Sequence, residues 1–112
     1  MNKYFAKKVK APDGEVFDSQ REYQRWGVLK LLQRAGKISD LQRQVKYILI
    51  PTQRDQKGKV VERELSYVAD FVYMDLERGV KVVEDTKGFK TEAYKIKKKL
   101  MLWIHEIRII ET

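Results

Sequence analysis

Cysteine is absent from this 112-residue chain, histidine occurs once and proline twice. Without cysteine there is no disulfide scaffold, zinc–thiolate site, iron–sulfur cluster or cysteine nucleophile, and the absence fits a reducing compartment. A lone histidine leaves a Ser/His/Asp triad or a multi-histidine metal site little to work with. Hydrolytic chemistry would have to rest on carboxylates, lysines and oxygen-bound metals. Long apolar runs are missing as well. The longest, Tyr47–Pro51 and Leu100–Ile104, are far too short to span a bilayer. The basic segment Met1–Lys10 lacks the apolar centre of a signal peptide. There is no internal repeat and no Ser/Gly/Pro-rich linker.

What is abundant is charge. It makes up 36% of the residues, with 24 Lys and Arg against 16 Asp and Glu, a net charge of +8. Hydrophobic content of 43% and aromatic content of 11% are too high for a disordered basic tail. The length suits one domain, which buries enough surface to fold unaided. A folded basic domain points to an anionic partner, nucleic acid first and an anionic membrane surface second. The membrane reading lacks a long basic amphipathic helix with an exposed apolar face. A basic protein without such a partner is the plain alternative.

Lys3, Lys7, Lys8 and Lys10 head the chain as an arm or short edge strand, and Pro12-Asp13-Gly14 predicts a small hairpin over about residues 7–17. Ser19 with Glu22 has the form of a capping box, opening a helix whose apolar stripe is Tyr23, Trp26, Leu29 and Leu32, widened by Val28 and Leu31. Gly36 is suited to end it. Strands follow at Gln44–Thr52, at about Val60–Met74 and at Val80–Lys87, separated by turns at Asp55–Gly58 and Glu77–Gly79. Leu65, Tyr67, Ala69, Phe71 and Tyr73 fall on one face of the second strand by alternation. Thr91 caps a second helix over Glu92–His105 with the stripe Ala93, Ile96, Leu100, Trp103 and Ile104, and Ile107–Glu111 is a last short strand. The order helix, three strands, helix, strand predicts an α/β fold: a three-stranded antiparallel meander, a parallel fourth strand, and helices packed on the sheet.

Strand alternation also locates the candidate chemistry. Asp70 shares a face with Val68 and Val72, where an aspartate costs energy unless something compensates it. Asp85 and Lys87 are two apart and share a face of the third strand, with Glu84 pointing away. If the two strands neighbour each other, Asp70, Asp85 and Lys87 converge. Two carboxylates suit Mg²⁺ or Mn²⁺, which take carboxylate oxygens, waters and substrate phosphate. Such a metal polarises a phosphodiester and lowers the pKa of a bound water, and Lys87 can hold that water or offset charge on phosphorus. Glu22, on the rim of the first helix's stripe, can add a third carboxylate. Each residue also has a plainer role: Asp70 bonded to backbone amides, Asp85 and Lys87 a solvated ion pair, Glu22 the third residue of its capping box.

These residues resemble the PD-(D/E)XK nuclease superfamily, whose core has the same element order. Its signature appears here as Ala69-Asp70 and Asp85-Thr86-Lys87. More narrowly, Phe17-Asp18-Ser19 with Glu22, Tyr67–Phe71, Glu84–Gly88 and Thr91–Lys97 are similar to small phage-encoded members related to Holliday junction resolvases, over roughly residues 2–111. Ala69 departs from the pattern, standing where the superfamily's name has Pro. The resemblance implies metal-dependent cleavage of DNA phosphodiesters leaving a 5′-phosphate, a homodimer, and a host-cell cytoplasmic setting. Asp70, Asp85 and Glu22 would serve the metal and Lys87 the water. Tyr94 and Lys97 are then contacts from the second helix, Lys90, Lys95, Lys98 and Lys99 suit phosphates, and Lys7 and Lys8 suit a DNA-binding arm. A non-catalytic nucleic-acid-binding module, or a nuclease for flaps, nicks or plain duplex, is the rival expectation. A pure binder has no need of carboxylates beside a phosphate.

Overall fold

The structure, a computed structural model, describes residues 7–112, so Lys3 lies outside the described residues. At Pro12-Asp13-Gly14 the chain reverses: the Asp13 carboxylate accepts the Glu15 amide at 3.0 Å and Gly14 takes φ +94°. The flanks pair as β1 (Val9–Lys10) and β2 (Val16–Phe17). Ser19 then caps α1 (Gln20–Arg34), its hydroxyl accepting the Glu22 amide at 3.1 Å. Past the helix, the amides of Ala35, Gly36 and Lys37 bond to the carbonyls of Leu31, Gln33 and Leu32, a closure that Gly36 permits at φ +76°.

Next come β3 (Ile38–Ile50), a small ribbon of β4 (Gln53–Arg54) and β5 (Val60–Glu62), then β6 (Leu65–Asp75) and β7 (Val80–Asp85). Thr91 caps α2 (Glu92–His105), and β8 (Ile110–Glu111) closes the chain. The main sheet has the order β3-β6-β7-β8, with antiparallel, antiparallel and parallel pairings. This is the mixed α/β sheet expected. Boundaries differ where long-range pairing, not local propensity, sets them. β3 begins at Ile38 because Ile38 and Ser39 pair with Asp75 and Met74. The strand expected over Val60–Met74 is two, broken at Arg63-Glu64, and β7 stops at Asp85, before Lys87.

Helices cover both faces. Phe71 and Val72 are neighbours on β6 yet enter different cores. Phe71 joins Leu29, Ile38 and Tyr73 under α1, whereas Val72 joins Tyr67, Ala69, Val83, Tyr94, Met101 and Ile109 under α2. The single face expected for Leu65, Tyr67, Ala69, Phe71 and Tyr73 is therefore not found: Leu65, Tyr67 and Ala69 lie on the α2 side, Phe71 and Tyr73 on the α1 side. The alternation slips at Asp70. Between the pairs Arg43↔Phe71 and Val45↔Ala69, Gln44 stands opposite Asp70 and takes φ +53°.

The second helix is also rotated from its expected seat. Tyr94 and Met101 are its buried residues, and Leu100 is half-buried. Ala93, Ile96, Trp103 and Ile104 are exposed, Trp103 to 84%. Tyr94 wins the inner position because its ring packs near Tyr67 while its hydroxyl donates to Glu111 at 2.7 Å, so both parts of the side chain are satisfied. In consequence α2 is a basic helix with an exposed apolar face, a combination that the sequence was not expected to contain. On α1, Val28 and Leu31 are likewise exposed and do not widen the buried stripe.

Candidate functional site

β6 and β7 pair from Asp75↔Val80 to Phe71↔Glu84 and then part. Asp70 and Asp85 are the first residues beyond that last pair, so the topology brings the two carboxylates together where the strands diverge. Both are buried, Asp85 completely. Asp70 spans the divergence, accepting the Thr86 amide at 2.8 Å on Oδ2; its Oδ1 lies 3.5 Å from Gln44 Nε2. The Tyr67 hydroxyl donates to Asp85 Oδ2. Asp85 Oδ1 has no hydrogen bond, although Lys87 Nζ forms an ion pair with it at 3.2 Å. Burial, then the neighbouring Asp85, pushes the Asp70 carboxyl up to about 8, against the pull of the Thr86 amide.

A buried carboxylate oxygen without a hydrogen bond, beside a second carboxyl that resists ionising, is a donor set that a hard divalent cation relieves. Mg²⁺ and Mn²⁺ fit it. Asp70 and Asp85 would hold the ion and leave positions for water and phosphate. Among the described residues no three His, Asp or Glu side chains converge as a ready metal-binding group. Glu22 in particular is buried but turned to Arg43, whose Nη2 lies 3.2 Å from Oε1. Its charge adds to the upward push on the Asp70 carboxyl without the carboxylate joining the pair. The capping box is half made for the same reason: Ser19 accepts the Glu22 amide, while the Glu22 carboxylate goes to Arg43.

Beside the aspartates lies a cleft of about 300 Å³ whose walls include Tyr67, Val68, Lys87, Thr91, Tyr94 and Lys97. Tyr94 and Lys97 thus meet Lys87, whose ammonium stands 5.0 Å over the Tyr94 ring. The other basic candidates scatter. Lys90 and Lys98 bind Glu111 at 3.2 and 3.1 Å, and Tyr94 and these lysines hold that carboxyl down at about 2. Lys95 pairs with Glu92, Lys8 with Asp18, and Lys7 and Lys99 are exposed. A larger cavity, about 860 Å³, lies at the edge of β7 away from β6, where the two-residue β8 pairs only with Glu84 and Asp85. It does not contain the aspartate pair.

A family model described as "Protein of unknown function (DUF1064)" matches residues 1–109. The chain belongs to the DUF1064 family. No curated protein and no solved structure matches it. The matched span of the DUF1064 chain holds Asp70, Asp85, Lys87 and the cleft residues; Glu111 lies beyond it. Among its described residues no helix is long and apolar enough to cross a membrane.

Three residues at the DUF1064 site have roles that sequence reasoning passed over. Tyr67 reads as a core aromatic, yet its hydroxyl orients Asp85; a phenol on a covered strand needs a partner, and that was the only signal. Gln44 faces Asp70 through a backbone irregularity with no marker in its residue type. Arg43 stacks 3.8 Å over Phe17 and holds both Glu15 and Glu22. Glu84, expected to point away from Asp85, does so and is fully buried. Arg25 grips it through Nε and Nη2 at 2.9 and 2.7 Å, and the Tyr73 hydroxyl donates to it. Burial, then that bond, pushes the Tyr73 hydroxyl up to about 12.

Proposed function

We propose that this protein is a Mg²⁺-dependent DNA endonuclease, with Mn²⁺ able to substitute, and that its preferred substrate is a four-way Holliday junction. The observation that carries the reading is the pair Asp70 and Asp85, buried side by side with Lys87 Nζ 3.2 Å from Asp85 Oδ1. Two adjacent buried carboxyls cost folding energy, and a bound divalent cation would offset that cost. When bound there, the metal supplies Lewis acidity toward the scissile phosphate and acidifies its water. Lys87, 3.2 Å from Asp85, holds the attacking water or offsets charge growing on phosphate oxygens. Tyr67 keeps Asp85 in one orientation. Tyr94 and Lys97 bind the sugar–phosphate backbone in the adjoining cleft, and Glu22 acts at one remove through its charge. A four-way junction offers two equivalent strands, so a homodimer presents one site to each.

The direct test incubates the protein with a labelled four-way junction and a matched linear duplex in Mg²⁺, Mn²⁺ or EDTA, beside Asp85→Ala. Paired symmetrical cuts in the junction alone, requiring metal and Asp85, are the expected result, with a dimer mass by sedimentation. Cuts in both substrates keep the nuclease and remove the junction preference. Salt-sensitive binding with no cleavage in either metal would overturn the enzyme reading and leave a binding module.

A further inference from the structure

From Pro51 to Glu64 every residue is exposed. The segment is nevertheless ordered by its own bonds. Gln53 pairs with Glu62 and Arg54 with Val60. The Asp55 carboxylate accepts the amides of Lys57 and Lys59 at 2.9 and 3.0 Å, Gly58 turns the chain at φ +84°, and Arg54 donates to the Gly58 carbonyl at 2.9 Å. A ribbon that buries no face of its own draws nothing from the hydrophobic core. It projects instead. The radius of gyration is 16.4 Å, against roughly 13 Å for a compact chain of this length, and the longest dimension is 52 Å.

The tip, residues 55–59, carries two lysines against one aspartate. Asp55 is engaged by backbone amides, whereas among the described residues Lys57 and Lys59 have no acidic partner. Two-stranded ribbons fit the major groove of duplex DNA. The reach is also suitable. From Gly58 to Asp70, through β5, the break at Arg63-Glu64 and the start of β6, twelve steps of about 3.3 Å allow a reach of at most roughly 40 Å, close to one turn of duplex.

We infer that the β4–β5 ribbon is a second DNA contact, entering the groove of a duplex arm about one helical turn from the Asp70–Asp85 pair, with Lys57 and Lys59 on phosphates. The inference rests on the DNA-endonuclease reading and extends it to a surface remote from the chemistry. A Lys57→Ala, Lys59→Ala double variant tests it. Fluorescence anisotropy in EDTA, with a labelled duplex of about four turns, should show roughly tenfold weaker binding and a log K versus log salt slope shallower by about 2. On a stem-loop with about half a turn of duplex, too short to span from the aspartate pair to the ribbon, the difference between variant and wild type should shrink. Single-turnover cleavage at saturating DNA should be unchanged. Equal affinity and slope on the long duplex would overturn the inference while leaving the nuclease intact. A wild type that binds but never cuts would overturn the nuclease reading, and the ribbon would still be judged by binding. If the wild type binds no DNA, both fall.

Discussion

Asp70 carries the sharpest consequence at the scale of a single residue. Its carboxyl sits at about 8 in the folded chain, against an ordinary value near 3.8. Below pH 4 it is neutral in both states. Between pH 4 and 8 it ionises in the unfolded chain alone, so the stability tied to the neutral form is lost progressively as pH rises through that window. In EDTA, Asp70→Asn should gain stability relative to wild type from pH 4 to pH 8, by more than about 1 kcal/mol, seen as several degrees in thermal melts. Mg²⁺ should stabilise the wild type at pH 8 and leave the Asn variant unmoved; the same response in both would remove Asp70 from the metal site. Glu84 makes the opposite case, a buried carboxylate fully paired. Glu84→Ala strands the Arg25 guanidinium and the Tyr73 hydroxyl, and should cost about 2–4 kcal/mol in urea unfolding, with Arg25's partial access to water keeping it below the extreme.

At the scale of elements, the two helices show what local signals can and cannot specify. Both N-caps are as the sequence predicts: Ser19 and Thr91 accept the amides of Glu22 and Tyr94. The C-termini differ. α1 has Gly36 for its left-handed residue, while α2 ends on Glu106 at φ +58°. A side chain in that conformation costs about 1 kcal/mol relative to glycine. Glu106→Gly should therefore raise stability by about 0.5–1 kcal/mol, measured by denaturant midpoint at constant slope. The seat of α2 was not legible in its own periodicity. Its stripe of Ala93, Ile96, Leu100, Trp103 and Ile104 is longer than the buried pair Tyr94 and Met101. The helix turns toward Tyr94 because Glu111, distant in sequence, offers that hydroxyl a partner. Likewise the period-2 reading of β6 fails at Asp70, where Gln44 on a different strand breaks the pleat.

Over the whole molecule, net charge and shape act together. A chain of net charge +8, with an extended ribbon and a basic second helix, should bind duplex DNA with an affinity that drops steeply with salt. For a contact of about five phosphates, a slope near −4.5 in log K versus log salt is expected, read by anisotropy between 50 and 200 mM salt. A flat response would argue against an electrostatic footprint. Trp103, the most exposed of the apolar side chains left outside, does not line the acidic pair's cleft, whereas Val68, Tyr94 and Lys97 do.

By itself the amino-acid sequence determined the order of elements, the caps and turns, the antiparallel meander with its parallel fourth strand, and the identity of Asp70, Asp85 and Lys87 as the residues to watch. The caps and turns depend on residues a few positions apart, where sterics and hydrogen-bonding capacity act directly, and the sheet topology follows from the order of elements and the short turns between strands. Tertiary structure alone decided that β6 and β7 part just before Asp70 and Asp85, that Tyr67 and not Glu22 bonds Asp85, that Arg43 claims Glu22, and that Lys90 and Lys98 are drawn to Glu111. Each of those outcomes is a competition among partners far apart in the chain, settled by which arrangement best satisfies the polar groups once the strands and helices are packed together.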